Sequence, residues 1–150
     1  MTPRRRARVV ALQVLYAMDG DDANPGAALA THMREFGGNL EDDDDEAPKD
    51  RSFDEEWATS LVKGVAEHRA ELDETLSKLS QKWRIERLAR VDRNILRLAV
   101  YELAHCQAQV PARVVINEAI ELAKRFGSEE APAFVNGLLD SALGVLGITP

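Results

Sequence analysis

The sequence predicts an all-α fold, a single-domain bundle of about six or seven helices. Three observations carry that expectation. Apolar residues recur at steps of three and four through most of the chain; no stretch keeps the alternation of a half-buried strand; and Pro, Gly and Asn punctuate the periodic runs. A chain of 150 residues is long enough to bury about two thirds of its unfolded surface as one domain, residues 1–150.

The elements follow in order. "PRRRARVVALQVLYAM" predicts a helix from Pro3 to Met18, with Thr2 as its N-cap and Pro3 at the first helical position. Ala7, Val10, Ala11, Val14 and Met18 form its core face. Arg5, Val9, Leu12 and Tyr16 make a second stripe, which puts Tyr16 on the side of Arg5. Gly20, Asn24, Pro25 and Gly26 break this helix, and Ala27 to Phe36 suits a short second one. The consecutive acids from Glu41 to Glu46 cannot enter a core, so a flexible acidic loop is expected around 37–51.

"SFDE" has the form of a capping box, pairing Ser52 with Glu55 at the start of a long amphipathic helix. Its apolar stripe runs through Trp57, Leu61, Val65, His68, Leu72, Leu76 and Leu79, which makes His68 a packed residue rather than a ligand. "WRIERLARVDRNILRLAVYELAHC" gives a short helix, a break near Val91 and a second helix capped by Asp92. Ile95, Leu98, Ala99 and Leu103 face inward there, and Arg93 and Arg97 outward. After Val110–Pro111, "RVVINEAIELAKRF" buries Ile116, Ala119, Ile120, Ala123 and Phe126. Lys124 and Arg125 suit its negative end and Gly127 stops it. A last helix from about Pro132 to Val145 buries Phe134, Val135, Leu138, Leu139, Ala142 and Leu143, and Gly137 in its middle implies a close helix approach.

Composition narrows the function. No apolar run reaches the roughly 18 residues of a membrane span, and the start lacks the apolar centre of a signal peptide. The single Cys106 forbids an internal disulfide and suits a cytoplasmic location. His32, His68 and His105 lie far apart in the sequence, so neither a metal nor another cofactor is expected. G-x-S-x-G, Walker, G-x-G-x-x-G and H-E-x-x-H motifs are missing, and adjacent acids such as Glu129 and Glu130 do not face each other on a helix. A non-catalytic role is expected.

Charge is unevenly spread. The chain carries a formal −7, but Asp19 to Glu56 holds 14 acids against 3 bases, and the remainder 16 bases against 12 acids. Against that background Arg4, Arg5, Arg6 and Arg8 crowd a helix start, where the backbone dipole favours acids. Guanidinium forks suit phosphate oxygens and stack on bases, and Tyr16 is either a half-buried packing residue or an aromatic platform beside them. The cluster is either a solvated, frayed terminus or a site for single-stranded RNA, which ranks ahead of DNA since no polar recognition helix follows a turn.

Three stretches, "RRRARVVALQVLYAMD", "VDRNILRLAVYEL" and "VPARVVINEAIELAKRFGSEEAPAFVNGLLD", resemble the NusB family of bacterial transcription antitermination factors. The resemblance fails mainly between Asp19 and Ser52. It implies an all-helical, non-catalytic protein that binds the boxA element of ribosomal RNA leader transcripts together with NusE, a ribosomal protein. Other Nus factors and RNA polymerase are then reached indirectly. It implies RNA contacts for Arg4, Arg5, Arg6, Arg8 and Tyr16, with Lys124 and Arg125 extending the basic track and Glu130 at its edge; Asp92 falls near the partner surface. The alternatives are a homodimeric helical interaction protein and a stand-alone relative of the NusB-like domain of RNA methyltransferases.

Overall fold

The computed structural model describes residues 2–19, 24–36, 53–80 and 87–149. Seven α-helices account for most of them, and no strand is present among the described residues. The chain divides into two compact units, Met1–Ala66 and Glu67–Pro150.

In the first unit, α1 spans Pro3–Met18, α2 Pro25–Phe36 and α3 Glu55–Glu67. The Thr2 hydroxyl accepts from the Arg5 amide at 3.1 Å, the cap expected from sequence. From Arg6 to Leu12 every side chain of α1 is buried, which makes it an interior helix rather than an amphipathic surface one. Asn24 proves to be the cap of α2: its side-chain oxygen accepts from the Ala27 amide at 3.1 Å, so Pro25 and Gly26 lie inside the helix. His32 Nε2 lies 2.9 Å from Gln13 Oε1 and joins α2 to α1. Ser52 and the acidic run lie outside the described residues. The described cap of α3 is Asp54, whose carboxylate accepts from the Trp57 amide at 3.0 Å.

The second unit holds α4 (Arg69–Leu79), α5 (Arg90–His105), α6 (Ala112–Phe126) and α7 (Ala131–Leu146). The long helix expected from Trp57 to Leu79 is divided at His68, whose backbone sits at φ −104°, ψ 13°. Neither Pro nor Gly marks the spot. The His68 ring packs against the rings of Tyr101 and His105, with centroids 5.8 Å and 4.2 Å away, and such a tertiary contact has no local signature. The expected short helix from Trp83 lies largely outside the described residues.

Helices α5, α6 and α7 pack on one another around Ile95, Leu98, Ala119, Val135 and Leu139. Ile120, Phe126 and Phe134, expected inside, are only half-buried. Gly137 faces open space, so it supports no close approach. Crowding is found instead at Gly127, between α6 and α7. A Cβ there would lie 2.8 Å from the Ala123 carbonyl oxygen, the Ala131 Cβ and Asp92 Oδ1. Gly147, at φ 68°, ends α7 in the left-handed region, and Ile148 donates back to the Leu143 carbonyl at 2.9 Å.

Arg97 corrects a sequence expectation. It was expected on the outside, yet it is 4% exposed. Its Nε and Nη2 donate to the two Asp73 carboxylate oxygens at 2.7 and 2.9 Å, and Nη1 donates to Asn94 Oδ1 at 3.3 Å. The bidentate pair joins α4 to α5.

Candidate nucleic-acid interface

The start of α1 is built by two caps and one long-range bond. Thr2 caps α1, Asp54 caps α3, and the Asp54 amide donates to the Pro3 carbonyl at 3.1 Å. The first turns of both helices are thereby held together. Trp57 is placed so that the Arg4 guanidinium carbon stands 4.3 Å from its ring centroid, a cation–π stack. The Trp57 Nε1 is buried and makes no hydrogen bond among the described residues. Arg4 is exposed and Arg5 half-exposed.

Arg6 and Arg8 depart from the expectation of one displayed cluster. Each is 4% exposed, and each is engaged by other groups of the protein. The Arg8 guanidinium carbon is 6.0 Å from the Trp57 centroid, on the same ring as Arg4. The cluster therefore separates by depth: Arg4 is exposed and Arg5 half-exposed, and Arg6 and Arg8 belong to the interior. Their burial follows from position, because α1 is enclosed from Arg6 to Leu12.

Tyr16 is 46% exposed. Eleven residues after Arg5 it returns to the same face, about 16 Å further along the axis. Val9 and Leu12 between them are buried, so the stripe is open at its ends and closed in its middle.

The remaining candidates sit in the second unit. Lys124 is exposed and lies 3.4 Å from Glu121, and the Arg125 guanidinium carbon stands 5.0 Å from the Phe126 centroid. Glu130 is exposed at the start of α7, where its side chain makes no capping bond. Asp92 does not cap α5: the helix begins at Arg90, and Asp92 lies in its first turn, where an acid suits the dipole. Nor is it displayed for a partner. It is buried, and its two oxygens accept from the Ser128 amide at 3.3 Å and the Ser128 hydroxyl at 3.0 Å. Asp92 thus fastens the α6–α7 turn to α5.

Sequence reasoning missed Trp57 as part of the arginine site, reading it only as the first residue of an apolar stripe. It also held the histidines apart. His68 and His105 meet in the second unit, and Glu71 Oε1 lies 3.3 Å from His105 Nε2. His68, Glu71 and His105 are the described residues whose donor atoms could converge on a metal ion.

The NusB family model matches residues 5–143, running through both compact units. This chain belongs to the NusB family. It is 47% identical over 141 residues to the transcription antitermination protein NusB of Anaeromyxobacter dehalogenans, covering 93% of this chain and 90% of that one. The Sorangium cellulosum protein of the same name is 44% identical over 147 residues, with 98% and 96% covered. Among solved structures, T. maritima NusB superposes with a TM-score of 0.75 at 35% identity, covering 96% of this chain and 93% of that one. The NusB of a crystal structure of antitermination factors NusB and NusE with double-stranded RNA gives 0.72 at 29% identity, covering 94% and 96%. The all-α fold expected from sequence is thus the NusB fold, and the family is one of transcription antitermination factors.

Proposed function

We propose that this chain is a non-catalytic RNA-binding antitermination factor of the cytoplasm. In this reading it takes boxA RNA together with NusE and so helps assemble an antitermination complex on RNA polymerase. The observation that carries it is the near-full-length match to NusB proteins, reinforced by a neighbour solved with NusE and RNA.

The geometry supports a division of labour. Arg4 and Arg5 contact phosphates, with Trp57 supporting the exposed Arg4 guanidinium by a cation–π contact. Tyr16 supplies a stacking face. Arg6 and Arg8 position the helix start from inside. Lys124 and Arg125 add charge in the second unit, and Glu130 sets a repulsive edge there.

Fluorescence anisotropy with labelled boxA RNA tests this, against scrambled and duplex RNA, with and without NusE, over a salt series. Preference for boxA that NusE enhances is expected. The variant Arg4→Ala, Arg5→Ala should lose about 1.4 from the log–log salt slope, at roughly 0.7 per single-strand phosphate contact. Equal binding of boxA and scrambled RNA, or an unchanged slope in the variant, would move the interface elsewhere.

A further inference from the structure

We propose that His68, Glu71 and His105 form a binding site for a divalent transition ion of the zinc class. The ion would take one imidazole nitrogen from each histidine and one carboxylate oxygen. The site lies within the second unit and uses none of the residues assigned to RNA.

Three elements bring the ligands together. His68 occupies the turn before α4, in the N-cap position, where its side chain makes no capping bond. Glu71 follows in the first turn of α4, and His105 ends α5. The two imidazole rings are 4.2 Å apart between centroids and tilted by 42°. Tyr101, one turn before His105, lies against both, at 5.8 Å from His68 and stacked at 5.2 Å on His105. This third ring restricts the rotation of the two histidines, so part of the ordering cost of coordination is met by packing.

The distances suit a small ion. One donor atom from each of the three residues lies within 4.8 Å of the others. A tetrahedral zinc ion with bonds near 2.0–2.2 Å sets its ligand atoms about 3.4 Å apart. The Glu71–His105 edge is already 3.3 Å. Rotation of the His68 side chain, by about an ångström or slightly more at the donor atom, closes the remaining edges. Two imidazoles with one carboxylate favour zinc, nickel or copper over magnesium or calcium, which prefer oxygen donors alone. Three protein ligands leave a fourth position to water. The Glu71 and His105 side chains are 56% and 31% exposed, so an ion and its water have a path from solvent.

Without the ion, Glu71 and His105 form an ion pair only while His105 is protonated, and a second imidazole then faces a cation. A bound dication would draw all three groups to one centre. It would cross-link the start of α4 to the end of α5, at the other end of α5 from the Asp92–Ser128 clasp.

The test uses the full chain without a purification tag, treated with chelator and dialysed, with zinc chloride as the probe. Isothermal titration should give one ion per chain, reversed by chelator. At zinc 100-fold above its dissociation constant, the apparent folding constant should rise about 100-fold. Glu71→Gln, at an exposed position, and His105→Gln should each weaken binding at least tenfold, whereas Cys106→Ala should leave it unchanged. Cobalt(II) added to the unmodified protein should show visible d–d bands of a nitrogen-bearing site, a readout that does not depend on any variant folding. Absence of saturable zinc binding would overturn the proposal. So would binding that survives both Glu71→Gln and His105→Gln, or that needs Cys106.

Discussion

Arginines at two places in this molecule meet opposite fates. Arg97 on α5 lies in the interior with a bidentate carboxylate from α4, so its charge is neutralised within the chain. Arg4 on α1 rests on the Trp57 ring, which attracts a cation without cancelling its charge. An internal carboxylate turns a guanidinium into a fastener. An aromatic support holds one in place and leaves its charge to act on an outside anion. Arg6 and Arg8 fall between, sharing the helix of Arg4 and the burial of Arg97.

Arg97→Ala should sharpen that comparison most. It strands Asp73 and removes the link from α4 to α5, at a cost of about 3 kcal/mol in urea unfolding. Partial exposure of Asp73 keeps the loss at the low end of what breaking a buried pair costs. The folded fraction should bind RNA as the parent does. Gly127→Ala comes next, at about 2 kcal/mol from overpacking. The new methyl would meet a backbone carbonyl and the Asp92 clasp, neither of which yields readily. Gly137→Ala makes the contrasting control, because its added methyl meets open space and gains helix propensity.

Two smaller effects concern the α1 side. Tyr16→Ala should cost about 1–2 kcal/mol of RNA binding with the salt slope unchanged, since stacking releases no counterions. Arg4→Ala should reduce the slope by about 0.7 and lower folding stability by under about 1 kcal/mol. A larger stability loss on Arg4→Ala than on Arg97→Ala would break the comparison outright.

Much of the fold was legible because its signals are local. Thr2 with Pro3, the periodic apolar faces of α5 to α7, and Gly127 as a stop all act within one or two turns of the residues they govern. What escaped was set across the chain. The break at His68 answers to Tyr101 and His105, and the burial of Arg97 answers to Asp73. Asp92 serves Ser128, 36 residues away, rather than the helix end beside it. The arginine site divides in the same manner. Its position on α1 could be read from four cations at a helix start, but its split into displayed and interior residues depends on how completely α1 is enclosed. Trp57 joins the site across more than fifty residues of chain, beside the bond between Asp54 and Pro3, which no spacing announces.

The stack of Arg4 on Trp57 also gives the interface a built-in optical reporter. The chain has two tryptophans, Trp57 and Trp83, so Trp83→Phe leaves a single emitter beneath the proposed phosphate contact. A phosphate that draws the guanidinium aside alters the field across that indole, and its emission shifts. RNA engagement could then be followed by intrinsic fluorescence on unlabelled protein, in stopped flow as well as at equilibrium. The wavelength would distinguish an anion that reaches Arg4 from one held elsewhere on the molecule.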